Sequence, residues 1–146
     1  MPLMFLHYTE GAFTKSALDS VAQRLMYDSE ELEKIPATPF NLSTNWIYTH
    51  EYPTSAMYHS GRTGGGRHFI TLEINVITGG YSATTKTEFI KRATDAIAEF
   101  GKLPEGEPRR VYVVMREVAE ANWGFDGKTI NLEELRGSTD ESIKPL

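Results

Sequence analysis

The sequence predicts an α+β fold in which one β-α-β unit occurs twice in tandem, giving a four-stranded mixed sheet with two helices on one face. Two observations predict this class. Each half of the chain holds a strand-like segment, a helical stripe of apolar residues and a second strand-like segment, in that order. The halves also correspond to each other, since Gly11 and Thr14 before the first helix match Gly79 and Ser82 before the second.

The first unit begins with a largely apolar strand over Leu3–Tyr8. Thr14 is a predicted N-cap, because its hydroxyl can accept a hydrogen bond from a backbone N–H of the first helical turn. The helix is expected over about Lys15–Glu33, with its acidic end, Glu30–Lys34, in solvent. Its apolar stripe consists of Leu18, Val21, Ala22, Leu25 and Met26.

The rest of the chain continues this pattern. Asn45–Tyr52 is rich in aromatic and β-branched residues and is predicted to be the second strand. Ser82 is a predicted N-cap for the second helix, which ends at Gly101. The other predicted elements are a short strand at Met57–Ser60, a glycine loop at Gly61–Arg67, strands at His68–Thr78 and Val111–Val118, and a turn or tight hairpin at Asn122–Gly127.

Length and composition limit the classes of protein that this chain can represent. Its 146 residues predict one domain over residues 1–135, with internal repeats at 2–60 and 68–127 and a polar tail at 136–146. The net charge of −5 argues against general binding to nucleic acid or to an anionic membrane. No apolar run reaches the roughly 18–20 residues of a membrane span, so we expect a cytoplasmic protein. The lack of cysteine excludes disulfides and thiolate metal sites.

Both ends of the predicted domain carry a specific pattern. Pro2–Gly11 (PLMFLHYTEG) resembles the opening of the 4-oxalocrotonate tautomerase family, in which a proline is followed by an aliphatic residue, a histidine and Glu-Gly at fixed spacing. Glu117 and the segment Asn122–Gly127 (NWGFDG) resemble the family's closing turn. The resemblance covers roughly residues 2–130 and is greatest to the long-chain members of the tautomerase superfamily, such as the cis-3-chloroacrylic acid dehalogenase group. It implies a homotrimer, in which three copies cover the bare faces of their sheets, and it implies no cofactor.

The resemblance assigns the catalytic role to Pro2. Removal of Met1 leaves a chain that begins with a secondary amine in a rigid ring. An α-amino group ordinarily titrates near about 7.7–8.0, and burial at the start of a strand lowers this pKa because it disfavours the ammonium form. The amine can then accept a proton at neutral pH and return it to another atom, which suits keto–enol tautomerisation.

Several positions depart from the family pattern. Arginines that hold a substrate carboxylate follow the Glu-Gly or Gly-Gly of a unit in the family, and Ala12 and Tyr81 stand there in this chain. The helix histidine of the dehalogenases corresponds to about Ser29, and their water-activating glutamate is nearest to Phe125. These differences count against dehalogenation and decarboxylation, and they favour a small enol or α-keto acid as substrate.

The predicted substrate pocket is mainly aromatic. Trp123, Tyr81 and Tyr112 are expected to line it, with Asn122 beside Trp123. A carboxylate on the substrate would be oriented by Arg116 or Arg67. No metal site is expected, because the four histidines show no ligand spacing.

Two alternative functions stay open at this point. The first is hydration or dehalogenation of an unsaturated acid, with Pro2 acting as the acid. The second is a protein-binding module that keeps the fold and has lost the reaction. Conversion of an acetylenic acid would indicate the first, and a titrating Pro2 without any turnover would indicate the second.

Overall fold

The computed structural model describes residues 2–63 and 68–141, so the predicted site residue Arg67 and most of the predicted glycine loop lie outside the described residues. In chain order the elements are β1 (Leu3–Thr9), α1 (Lys15–Glu33), α2 (Pro39–Ser43), β2 (Trp46–Tyr52), β3 (Tyr58–His59), β4 (Arg62–Thr63), β5 (Ile70–Ile77), α3 (Ala83–Phe100), β6 (Val111–Val118), β7 (Gly124–Phe125), β8 (Lys128–Thr129) and α4 (Leu132–Gly137).

The four long strands form one mixed sheet in the order β2-β1-β5-β6. Strand β1 runs parallel to β2 and antiparallel to β5, and β5 runs parallel to β6. Two short hairpins, β3-β4 and β7-β8, lie outside this sheet. The predicted α+β class and the tandem β-α-β arrangement are therefore confirmed.

Helices α1 and α3 cover one face of the sheet. Thr14 and Ser82 cap them as predicted, each accepting a hydrogen bond from the backbone N–H three residues later. Alternate residues of β1 and β5 point into the core between sheet and helices, as the two-residue period of a strand requires. The buried side chains of this core include Met4, Leu6, Leu25, Leu72, Ile74, Phe89 and Ile97.

The opposite face of the sheet is bare in the single chain. It carries aromatic side chains that are at least half exposed, namely Trp46, Tyr48 and Tyr112. Phe5 of β1 stacks on Tyr48 with ring centroids 5.5 Å apart. Exposed aromatic surface of this kind is typical of a face that packs against another protein surface.

Three features differ from expectation. The short helices α2 and α4 were not predicted. Helix α4 crosses the expected boundary at residue 135, and the carbonyl of Asp140 accepts a hydrogen bond from the N–H of Phe40, so the described part of the predicted tail packs on the body of the chain. Across the described residues, no helix is both long enough and apolar enough to cross a membrane.

Candidate active site

Pro2 is buried at the start of β1, between the beginning of β2 and the end of β5. Its carbonyl accepts a hydrogen bond from the N–H of Trp46 (3.4 Å). Leu3, the next residue, lies opposite Trp46 on one side and Asn75 on the other. Three segments of the chain therefore meet at the amino end of β1.

An open pocket of about 560 Å³ adjoins this end of the sheet. The rings of Trp46 and Phe125 lie 6.3 Å apart at an angle of 70°, which joins the β7-β8 hairpin to the start of β2. The carbonyl of Trp123 is fixed by the N–H of Ile130 (3.1 Å). Three of its seven lining residues are aromatic, and of the predicted pocket residues it contains Trp123. The lining consists of Leu3, Thr44, Trp46, Trp123, Phe125 and the adjoining hairpin residues.

Tyr81 lies at the same end of the sheet but points into the protein. Its side chain is 3% exposed and packs edge-on against Phe89. Its hydroxyl donates to Ser29 Oγ (3.0 Å). Burial, together with the charge of Glu33, raises the pKa of Tyr81, so this phenol stays neutral at physiological pH. In the isolated chain Tyr81 supports the site from inside and does not line the pocket beside Leu3.

The carboxyl of Glu33 is fully buried, whereas an acidic helix end in solvent was expected at Glu30–Lys34. This expectation was wrong for Glu33. Ser29 and Glu33 continue the apolar stripe of α1 at intervals of four residues, and Ser29 Oγ donates to Glu33 Oε2 (3.3 Å). The helical period, rather than the acidic composition of the segment, gives the correct placement.

The turn after β5 approaches this carboxyl closely. A Cβ at Gly80 would lie 3.0 Å from Glu33 Oε1 and 3.1 Å from the carbonyl oxygen of Ile77. Glycine is therefore favoured at position 80, because any Cβ there would require the Glu33 carboxyl and the turn to shift by a few tenths of an ångström.

Glu30, one turn earlier in α1, lies beside the start of β2. Its Oε1 accepts a hydrogen bond from Asn45 Nδ2 (2.9 Å), and Asn45 directly precedes Trp46. Burial raises the pKa of Glu30, while the chain's positive amino terminus and the Asn45 amide act in the opposite direction. Glu30 and Glu33 thus place two carboxyl groups at the end of the sheet where Pro2 lies.

Arg136 brings a cation to the same region from α4. Its Nη2 donates to the carbonyl oxygens of Glu33 (3.1 Å) and Gly80 (3.5 Å), so it joins the end of α1 to the turn after β5. Neither Glu33 nor Arg136 was predicted as part of the site. Arg136 had no signal in the sequence, because its position follows from the fold of the unpredicted helix α4.

Two other predicted binding residues lie elsewhere on the sheet. Tyr112 is 76% exposed and lies opposite Thr71, which in turn lies opposite His7, so it is four rows of the ladder from Leu3. It lines a second pocket, of about 740 Å³, at the far end of the bare face.

Arg116 lies opposite Asn75, in the same row of the sheet as Leu3 but two strands away. Its guanidinium donates to Glu73 (2.6 Å) and lowers the pKa of that carboxyl. Asn122 is exposed in the turn before Trp123. The structure therefore brings Pro2 and Trp123 to one end of the sheet, places Tyr81 beneath that end, and holds Arg116 in an ion pair on the bare face.

This arrangement could support proton transfer. It joins a buried chain start, an adjacent aromatic pocket and two carboxyl groups. No group of three or more histidine, aspartate or glutamate side chains that could hold a metal ion occurs within residues 2–63 and 68–141.

The chain resembles known proteins both in the sequence of its second half and in its fold. Residues 71–133 match the family model described as Tautomerase enzyme. No protein of curated function matches the chain by sequence.

Solved structures with the same fold include a fused 4-OT described as a wild-type asymmetric trimer (TM-score 0.72, 17% identity, 86% of this chain and 94% of that one covered). A second is a member of the cis-3-chloroacrylic acid dehalogenase family (TM-score 0.71, 19% identity, 88% and 82% covered). A third is Pt0534 inactivated by 2-oxo-3-pentynoate (TM-score 0.70, 18% identity, 90% and 98% covered). At these identities the likeness establishes the fold.

Proposed function

We propose that this chain is a cofactor-independent tautomerase that uses Pro2 as its general base and acid. The match to the tautomerase family model over residues 71–133 and the fold shared with solved structures of fused 4-OT and of a cis-3-chloroacrylic acid dehalogenase family member support this proposal. The substrate class is a small enol or α-keto acid. The observation that carries the proposal is the buried position of Pro2 beside an aromatic pocket.

The proposed reaction moves one proton between carbon and oxygen. In the ketonisation direction the neutral amine of Pro2 takes the hydroxyl proton of the enol, and the resulting ammonium gives that proton to the enol carbon as the carbonyl forms. In the reverse direction the neutral amine takes the proton from carbon. Burial supports this use of the amine, because it moves the amine pKa from its ordinary range towards neutrality.

The expected result with the processed protein is catalysed ketonisation of phenylenolpyruvate. Intact mass should first establish that Met1 has been removed, since the nitrogen of Pro2 is otherwise an amide and cannot accept a proton. Loss of the enol absorbance with time measures the reaction, with buffer alone as the uncatalysed control. Processed, folded protein that gives only the buffer rate would contradict the proposal.

We assign ring binding to the pocket beside Leu3, where Trp123 is one of two tryptophans in the lining. Trp123→Ala should raise KM for phenylenolpyruvate by about tenfold and change kcat much less, because burial of apolar ring surface is worth about 1.5–3 kcal/mol per side chain. Tyr27→Ala, which removes an aromatic side chain that is 65% exposed on α1, is the matched control and should leave KM unchanged. Equal effects of the two substitutions would contradict the assignment.

A homotrimer is part of the proposal. The bare, aromatic face of the sheet supports it, as does the trimeric description of a structural relative. Because Tyr112 lies four rows of the ladder away from Leu3, it would contribute to a Pro2 site only in another copy of the chain. Asn122, Arg116 and Arg67 stay candidates for substrate binding on the same basis.

The alternative function is hydration of an unsaturated acid by the same proline. One structural relative was inactivated by 2-oxo-3-pentynoate, an acetylenic keto acid. Incubation of this chain with that compound distinguishes the two functions, since a hydratase would turn it over to a dicarbonyl product. A tautomerase would give no hydrated product.

A further inference from the structure

The two pockets beside the sheet occupy equivalent places in the two repeats of the fold. Strands β1 and β5 pair antiparallel with Phe5 opposite Glu73 near the middle of the ladder, so an approximate two-fold rotation about this pair exchanges the two β-α-β units. Each of the seven residues that line the first pocket, beside Leu3, has its repeat counterpart in the lining of the second pocket. Three of these pairs are Trp46 and Tyr112, Phe125 and His59, and Thr44 and Arg110.

The hairpins that flank the two pockets share one backbone conformation. In the β3-β4 turn, Ser60 and Gly61 have φ angles of 51° and 77°. In the β7-β8 turn, Asp126 and Gly127 have φ angles of 50° and 78°. Two consecutive positive φ angles are typical of a tight two-residue hairpin turn. The β3-β4 hairpin therefore borders the second pocket in the way that the β7-β8 hairpin borders the first.

The second pocket holds an amide nitrogen where the first has the start of the chain. Ile70 is the repeat counterpart of Pro2, and its backbone N–H donates to the carbonyl oxygen of Arg110 (3.1 Å). A backbone amide is a hydrogen-bond donor and does not accept a proton near neutral pH. The proton transfer proposed for Pro2 therefore cannot take place in the second pocket.

The second pocket also differs from the first in charge. Asp126 is the one charged residue in the described lining of the first pocket. The residues described around the second pocket include Arg109 and Arg110 and no aspartate or glutamate. Arg109 is bound to Asp95, whereas the Arg110 guanidinium comes no closer to Glu107 than 3.9 Å, which is beyond hydrogen-bond distance. Arg110 can therefore receive an anion, although the chain as a whole has a net charge of −5.

Aromatic side chains gather beside the same guanidinium. The Cζ atom of Arg110 lies 5.5 Å from the centroid of the Phe69 ring, and the ring of His59 lies 5.2 Å from that centroid. Tyr58 and Tyr112 also line the pocket and are 66% and 76% exposed. A ligand that joins a ring to a carboxylate would cover these rings and pair with the guanidinium.

We propose that the second pocket is a binding site for a monoanionic carboxylate that carries an aromatic ring, and that it holds this ligand without converting it. Arg110 binds the carboxylate through its planar guanidinium, and Tyr58 and Tyr112 contact the ring. The pocket volume of about 740 Å³ is typical of small-molecule sites. The proposal does not require Pro2 to be catalytic, so it can fail or succeed independently of the proposed function.

The test is a titration of ¹⁵N-labelled protein with 3-phenylpropionate, followed by NMR. The signals of the β3-β4 hairpin and of the Arg110 side chain should shift and reach saturation. Arg110→Gln should weaken this binding at least about tenfold, because it removes a charge-assisted hydrogen bond. Lys15→Gln removes the same charge from a side chain that is 83% exposed on α1, and as the matched control it should leave the affinity unchanged.

Two further ligands test the two halves of the proposed recognition. The neutral 3-phenylpropanamide lacks the charge and propionate lacks the ring, so each should bind at least about tenfold more weakly than 3-phenylpropionate. Protein that keeps Met1 cannot use Pro2 and should bind 3-phenylpropionate as tightly as the processed protein. This comparison separates the binding site from the test of turnover.

Three results would overturn the inference. The first is the absence of a saturable shift in the β3-β4 hairpin, including shifts confined to the β7-β8 hairpin, which would place the ligand in the first pocket. The second is equal affinity of folded Arg110→Gln and the unmodified protein. The third needs no variant, and it is equal affinity for 3-phenylpropionate and its neutral amide.

Discussion

Replacing Pro2 with alanine is expected to lower kcat/KM for enol ketonisation by at least about 10²-fold, the usual contribution of a general acid or base. Alanine is also small enough to allow removal of Met1, so the variant still begins with a free amine. That amine is primary and sits on a backbone without the ring that fixes the nitrogen of Pro2. The comparison therefore measures the value of a rigid, correctly placed secondary amine.

A second variant separates the chemistry of the nitrogen from the shape of the side chain. A bulky residue inserted between Met1 and Pro2 prevents removal of methionine and keeps the nitrogen as an amide. The variant with the insertion should be inactive, its intact mass should show that methionine is kept, and its unfolding midpoint should be unchanged. Equal rates for Pro2→Ala and the unmodified protein would remove Pro2 from the mechanism.

Phe89→Ala should lower the free energy of unfolding by about 3–5 kcal/mol. Phe89 is fully buried between α3 and the sheet, and its ring packs at 5.8 Å against Tyr81, which holds Ser29. Truncation removes apolar contacts and leaves a cavity beneath the candidate site. Since the free energy of unfolding of a domain is only about 5–15 kcal/mol, the expected loss is a large part of it.

Ile90→Ala provides the neighbouring control. Ile90 is the next residue of the same helix and is 39% exposed, so its truncation should cost less than about 1 kcal/mol. Urea unfolding followed by circular dichroism measures both values, at one protein concentration because assembly adds to apparent stability. Similar losses for the two variants would show that the side chain of Phe89 is not central to the core.

Much of the fold follows from local rules. Helix α1 has the predicted limits because Thr14 caps it and because its buried stripe, apolar at first and then continued by Ser29 and Glu33, extends to its last residue. Strand β6 also has its predicted limits. Strand β2 begins at Trp46, one residue later than expected, because Asn45 is buried and its amide binds Glu30. Helices α2 and α4 are too short for a periodic apolar pattern, which needs a window of about 11 residues or more.

Sequence patterns predict less of the candidate site than of the fold. Motifs at the two ends of the predicted domain drew attention to Pro2 and Trp123 as site residues. The burial of Tyr81 did not, since the direction of a side chain after a Gly-Gly turn depends on tertiary packing. Glu33 was misplaced because its charge was given more weight than its position on the helix, although the four-residue spacing from Ser29 was visible in the sequence.

The close contact between Gly80 and Glu33 also constrains how this protein can change over generations. A side chain at position 80 would collide with the carboxyl and with the neighbouring backbone. A substitution there requires the Glu33 carboxyl to shift by a few tenths of an ångström, and the carbonyl of Ile77 also limits the new side chain. The two positions are therefore coupled, and replacement of Glu33 by a smaller residue should widen the range of side chains that position 80 accepts.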